Sequence, residues 1–509
     1  MLMTTLAGCA VGPDFLRPQA PKDADYAPTP LPQVTDTAAV HGGEAQHFAI
    51  GRDIQFDWWT LFRSPALDSL VAKAIKANPT IEAAQAALRQ AQENVYSQQG
   101  FFFPNVSAGY NWSYNQLAGN NGSNSPGIQS NGRVLATKSN PSGPRYNGPA
   151  VFSFNTAQLS VGFVPDVFGA NRRAVESQKA QAEFQRFELE ATYITLASNV
   201  VSAALQEAST RAQIDAVKEI ITVNETSLRI LRDQFRLGYV MRIDVAAQEA
   251  ALAAAEALLP PLERQYEQTR DLIRALVGNL PNEDVSETFD LASIQMPQEP
   301  PVSLPSKLID QRPDIRAAEA LLHAASAQVG MAVAAMMPQI TISGDVGGTG
   351  EVINTIFSPG GPFYNIIANA TQTLFDGFTL LHQKRAADQA LIQAAAQYRS
   401  TVITAYQNVA DTLHALVSDA KALRTALAAE HAAKVTLDLT QSQHDIGYVD
   451  YLTLLNAEQA YEQALLSLVQ AQVTRYGDTA ALYQALGGGW WNRAKLPSAG
   501  AAAFPAKPD

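Results

Sequence analysis

One cysteine, Cys9, stands in 509 residues. A single thiol excludes any disulfide within the chain, and the seven histidines are too scattered for a zinc site. No run of about 18 apolar residues occurs, which excludes an ordinary transmembrane helix but not a barrel, whose strands leave a weaker hydropathy trace. Positive charge is also short. Against 48 Asp and Glu there are 36 Lys and Arg, a formal charge of −12, so nucleic acid is excluded as a partner. No Ser/His/Asp order or other catalytic constellation is found. "GGTGE" (347–351) lacks the Gly-Lys-Ser/Thr of a phosphate loop and is expected to be a loop between two strands.

What the chain does have is itself, twice. "NPTIEAAQAALRQAQENV" (78–95) aligns with "RPDIRAAEALLHAASAQV" (312–329) at an offset of 234 residues, and "FPNVS" (103–107) meets "MPQIT" (337–341) in the same register. "FRLGYVMRIDVAAQEA" (235–250) matches "HDIGYVDYLTLLNAEQ" (444–459) at an offset of 209. The shorter offset places an insertion in the first copy, the polar Gly/Asn/Ser/Pro loop of residues 115–150. Each half is read as helix, strand, loop, strand, long helix, tight turn, helix.

The strands are predicted from alternation. Val106, Ala108, Tyr110, Trp112 and Tyr114 oppose Asn105, Ser107, Gly109, Asn111 and Ser113. In 151–163, Ala157, Leu159, Val161 and Phe163 oppose Thr156, Gln158, Ser160 and Gly162. The second half repeats this with Ile340, Ile342 and Val346 against Thr341, Ser343 and Asp345, then Tyr364, Ile366, Ala368 and Ala370, with Ile367 interrupting the polar face. One-sided strands of this kind suit either a soluble sandwich or a tilted bilayer crossing, and the pattern alone leaves both open.

Helices are predicted over 66–102, 171–237, 242–279 and 378–446. The two longest are rods of roughly 100 Å, which must lie beside other long helices. Pro260-Pro261 is expected to kink or divide 242–279. If the strands cross a bilayer, their sheet must close, because an open edge in lipid leaves backbone groups unpaired. Four strands are too few for closure, since barrels begin at about eight. Several chains would then build one barrel, with the rods continuing it as a conduit.

The chain resembles the outer-membrane efflux proteins, in the lipoprotein branch of the TolC/OprM-like factors (the NodT type). The residues that carry the resemblance are "CAVGPDF" (9–15), "WWTLF" (58–62), "LDSLVAKAIKANPTI" (67–81), "FGANRRA" (168–174), "LPSKLIDQRPDIRAAEALL" (304–322), "LFDG" (374–377), the paired "LGYV" and "IGYV" turns, and "YQALGGGW" (483–490). The resemblance implies a mixed α and β membrane protein, a homotrimer whose four strands per chain make a 12-stranded β-barrel continued by a long periplasmic α-helical barrel. It implies the exit duct of a tripartite pump, with a periplasmic adaptor at the helical tip and an inner-membrane transporter of the RND type. No cofactor is implied beyond a covalent lipid. The location implied is the outer membrane of a Gram-negative bacterium, with contacts to outer-membrane lipid. The alternative reading is a surface-anchored helical stalk or adhesin.

On this resemblance the chain divides as follows. Residues 1–9 are the end of a lipoprotein signal peptide, closing at Cys9, and 10–65 form an N-terminal extended segment with equatorial contacts. Residues 66–103, 166–279, 306–337 and 377–486 make the periplasmic helices, and 104–165 and 338–376 the strands and extracellular loops. Residues 280–305 and 487–509 complete the equatorial region and the C-terminal tail.

Leu6-Ala7-Gly8-Cys9 matches a lipobox, making Cys9 the expected lipidation site. The residues before it lack the basic start and apolar run of a full leader, which is expected to extend upstream. The tip and adaptor contacts implied are Gly238, Tyr239 and Val240 with Gly447, Tyr448 and Val449. Family members narrow the tip with aspartate rings on the helix after the second turn. At those positions this chain has Thr453 and Asn456, so Asp450 and Asp244 join them as gate candidates. For both aspartates a helix N-terminal role is an equal reading.

Overall fold

A computed structural model describes residues 10–21, 25–28, 32–116 and 151–493. Cys9, nearly all of the polar loop of 115–150 and the end of the C-terminal tail lie outside the described residues. In chain order the elements are β1 (Ala49–Ile50), α1 (Pro65–Ala77), α2 (Pro79–Gln99), β2 (Asn105–Gln116), β3 (Val151–Phe163), α3 (Ala170–Leu237) and α4 (Arg242–Leu276). There follow β4 (Pro301–Val302), α5 (Pro305–Gln311), α6 (Pro313–Ala335), β5 (Gln339–Gly350), β6 (Pro362–Thr371), α7 (Thr379–Asp445) and α8 (Tyr451–Ala485). Among the described residues no helix is long and apolar enough to cross a membrane.

Two of the predicted helices are each broken once. The first splits at Asn78-Pro79 and the second copy splits at Arg312-Pro313, the same point of the repeat. Proline crowds the residue before it out of the helical region, and Asn78 and Arg312 both sit at ψ 123. Asn78 then caps α2, its Oδ1 accepting from the Thr80 amide at 2.8 Å. By contrast, α4 runs unbroken through Pro260 and Pro261. Both prolines are exposed, so the carbonyls that lose a helical donor can be hydrated. "GGTGE" is no loop either. Gly347–Gly350 finish strand β5, paired with β3 and β6.

The chain divides into two compact units. One comprises Met1–Leu16, Gln90–Ala182 and Leu321–Ala395. It holds a four-stranded antiparallel sheet of order β2-β3-β5-β6. Register aligns the alternations across all four strands, so that Ala108, Leu159, Val346 and Tyr364 form one cross-strand row, and Val106, Val161, Gly344 and Ile366 another. The opposite face carries the row Ser107, Ser160, Asp345 and Asn365, where Ser160 Oγ donates to Asp345 Oδ1 at 2.5 Å. A slip of one residue in any strand would mix the two faces. The outer edges of β2 and β6 pair with nothing in this sheet.

The other unit comprises Arg17–Arg89, Glu183–Ala320 and Ala396–Asp509. Its stretch of α7 buries Val402, Ala405, Val409, Leu413, Leu416, Ala420 and Leu423, steps of three and four that make a zipper seam. Its core gathers Trp58, Phe62, Leu67, Leu70, Phe289, Ile294, Tyr476 and Tyr483, all essentially inaccessible to solvent. The aromatic pair Trp58 and Tyr483 stacks at 5.1 Å and 13°.

Candidate functional site

The α3–α4 and α7–α8 turns are built alike. Gly238 and Gly447 adopt φ 81 and φ 75. In the first turn the Gly238 amide donates to Phe235 O at 3.0 Å and the Tyr239 amide to Gln234 O at 2.9 Å. In the second, Gly447 donates to His444 O and Tyr448 to Gln443 O, both at 2.9 Å. This paired pattern closes a helix with a left-handed residue. A Cβ on either glycine would touch nothing, so the requirement for glycine is the positive φ alone.

Beyond each glycine comes a tyrosine, Tyr239 or Tyr448, 79% exposed in both turns. Leu237, Met241, Ile243, Ile446 and Leu452 are also exposed beside them. Val240 and Val449 turn partly inward, and Val240 packs against the cluster of Leu228, Leu231, Val245, Tyr451, Leu454 and Leu455. Each turn thus presents an aromatic side chain on a stem whose root is packed.

The two helices that leave the turns are capped by carboxylates at opposite ends of the same device. In the first turn of α4, Asp244 Oδ2 accepts from the Met241 amide at 2.9 Å. Before α8, Asp450 Oδ1 accepts from the Thr453 amide at 2.9 Å and from Thr453 Oγ1 at 2.6 Å. Those hydrogen bonds hold the Asp450 carboxyl below the usual carboxylate range. Within one chain both gate-candidate aspartates are therefore helix caps. Thr453 is engaged by Asp450, and Asn456 is exposed.

The sequence reading missed the polar side chains inside the seam above the turns: Asn224, Gln248, Tyr451 and Glu458 are all buried. A signal existed. Val245, Gln248, Ala251 and Ala255 are buried on one stripe of α4, so a glutamine falls on the apolar spacing of that helix.

Similarity to known proteins follows this architecture closely. The pattern defining "Outer membrane efflux protein" matches residues 70–279 and 304–488. The chain is 29% identical over 472 residues to the pyoverdine export outer membrane protein OpmQ of Pseudomonas aeruginosa, covering 91% of this chain and 94% of that one. It is 26% identical over 496 residues to the probable efflux pump outer membrane protein TtgC of Pseudomonas putida, covering 96% and 94%. Among solved structures, the fold matches the outer-membrane channel OprN with a TM-score of 0.79 at 24% identity, covering 95% of this chain and 100% of that one. The CmeC outer membrane channel of Campylobacter jejuni matches with a TM-score of 0.79 at 20% identity, covering 94% and 95%. The chain belongs to the outer membrane efflux protein family: it is an outer-membrane channel, the exit duct of an efflux pump, and not an enzyme.

Proposed function

We propose that three copies join the free edge of β2 in one chain to the free edge of β6 in the next, giving a twelve-stranded barrel. The observation that carries this is the register, which runs one apolar face and one polar face, interrupted at Ile367, across the four strands and leaves two edges unpaired. Such a sheet is acceptable in lipid only when closed. The exposed tyrosines of the two turns dock a periplasmic adaptor, and an inner-membrane transporter of the RND type drives the cargo. Small molecules pass passively, and their selection lies with that transporter.

The three-fold axis brings like carboxylates together. Asp244 and Asp450 act as gate candidates through that crowding, in addition to their capping bonds. Asp244→Ala should raise the single-channel conductance of trimers in planar bilayers. A conductance equal to that of the parent protein would remove Asp244 from the gate, and trimers that never conduct would overturn the duct.

Cys9 carries the lipid in this reading. The residues that follow it support the assignment. The Val11 amide donates to Phe168 O at 3.1 Å. The buried Arg173 guanidinium donates to Val11 O at 3.2 Å and to Asp14 Oδ1 at 2.7 Å. Phe15 stacks on His323 with ring centroids 4.3 Å apart. A Cβ on Gly169 would lie 2.6 Å from Ala10 Cα, so residue 10 is held against the start of α3, a few residues beyond the last strand residue Phe163. A tether there would enter the bilayer near the strand ends. Intact-mass spectrometry of membrane-extracted protein should show an acylated N-terminal cysteine, and a free thiol at Cys9 would overturn the anchor.

A further inference from the structure

The seam above the turns carries more polar chemistry than a helical zipper needs. Tyr451 Oη donates to Gln248 Oε1 at 2.5 Å. Gln248 Nε2 donates to both Asn224 Oδ1 and Asn224 O at 3.0 Å. Asn224 Nδ2 donates to Glu462 Oε1 at 3.1 Å and to its own helix at Ile220 O, 2.9 Å. The bonds pass from α8 to α4, on to α3, and back to α8. Gln248 is wholly inaccessible, and Asn224 and Tyr451 are nearly so. Glu458, one turn before Glu462, is also buried, and its Oε2 has no hydrogen-bond partner.

We propose that this ring of hydrogen bonds, with Glu458 beside it, is a proton-operated tie. It holds α8 against α3 and α4 while Glu458 is protonated and slackens when that carboxyl ionises. Facing the tie from α8 are Tyr451 and Glu462, and from α4 the Asp244 carboxylate acts on Tyr451. From α7, His444 meets the Tyr451 ring edge-on at 5.7 Å, and from α3 the Asn224 amide takes part. Among the described residues no lysine or arginine forms an ion pair with Glu458 or Glu462. A carboxylate in this seam gives up water without gaining a cation, which is costly.

Burial first, and then the neighbouring Glu462, push the Glu458 carboxyl up to about 7. Burial also raises Glu462, against the hydrogen bond from Asn224. In the unfolded chain a glutamate titrates near 4.3. A folded value above the unfolded one means that the seam keeps its full stability below about 4.3 and loses it as pH rises through about 7. The tie is tight in acid and slack in mild alkali.

The consequence for conduction rests on the duct reading, whereas the tie itself does not. Amide hydrogen exchange of the detergent-solubilised trimer at pH 5.5 and 8, scaled for the intrinsic rate, measures the tie alone. Protection of the amides from Tyr451 to Glu462 should fall about tenfold at the higher pH, and Glu458→Gln should abolish that difference. Gln248→Leu, which opens the ring without touching a carboxyl, should speed exchange at both values. Planar-bilayer conductance of the parent trimer should rise across the same interval and stay flat in Glu458→Gln. If Glu458→Gln keeps the parent pH dependence of exchange, or Gln248→Leu exchanges like the parent, the tie is overturned. If exchange behaves as expected and no current flows at any pH, the tie stands and the duct reading falls.

Discussion

Trp58→Ala should destabilise the protein by about 3–5 kcal/mol, the range for removing a buried aromatic ring from a packed core. Trp58 is completely inaccessible. Its ring stacks on Tyr483 and meets Trp59 and Phe62 at 73° and 68°. Phe62 in turn lies 6.5 Å from Tyr476, whose hydroxyl donates to Ile294 O at 2.9 Å. The segment Trp58–Phe62 therefore fixes the N-terminal stretch to α8 and to the linker after α4. Alanine would leave a cavity bordered by a flat tyrosine ring that cannot collapse into it. The expected result is a lowered thermal midpoint of the detergent-solubilised trimer, with Trp58→Phe falling between. A midpoint equal to that of the parent would refute the packing argument.

The second large effect is expected at Arg475, also completely inaccessible. Its guanidinium donates to Gly42 O at 3.0 Å, to Glu44 O at 2.6 Å and to Thr35 Oγ1 at 3.2 Å. It also lowers the cost of charge on Asp419, whose carboxyl is pushed well above the usual range by burial and by Asp478 beside it. Arg475→Leu would strand two carbonyls and remove the one cation that, among the described residues, acts on that carboxyl, for about 3–5 kcal/mol. The loss has a pH signature. A raised carboxyl is neutral and harmless in acid but carries a buried charge as pH rises through its folded value. The midpoint deficit of Arg475→Leu should therefore be larger at pH 8 than at pH 5.5. Equal deficits would show that only the carbonyls matter. Arg475→Lys should rescue little, because a single ammonium cannot reproduce the fork that reaches three acceptors.

The strands were legible because a sheet with one apolar and one polar face enforces alternation, as Val106 to Tyr114 show, although the alternation alone does not say whether the apolar face meets lipid or a second layer. The rods were legible because nothing interrupts their period. The breaks at Asn78 and Arg312 were not read, since the apolar spacing continues on both sides of each proline and periodicity averages across the gap. Pro260-Pro261 misled in the other direction, because exposure to water decides whether a proline divides a helix, and exposure is not written in the spacing. At the tip, glycine-tyrosine-valine announced both turns. The local capping by Asp244 and Asp450 was one of two open readings, and three-residue spacing to Met241 and Thr453 favours it. Arg475 was invisible for a different reason. Its acceptors are mainly backbone carbonyls more than 400 residues away, and a carbonyl has no residue type.

The unpaired edges of β2 and β6 also have a genetic reading. In the proposed three-chain ring a sheet finished only by its neighbours cannot insert one chain at a time, so folding in the membrane and counting to three would become a single event. One chain with a spoiled edge strand would ruin the barrel for two healthy copies. In a cell making healthy and spoiled chains in equal amounts, the intact channels would fall to about one-eighth of the trimers, since every place in a closed ring must be filled. Edge-strand lesions in this protein should therefore be dominant, whereas lesions that keep a chain from reaching the membrane should be recessive.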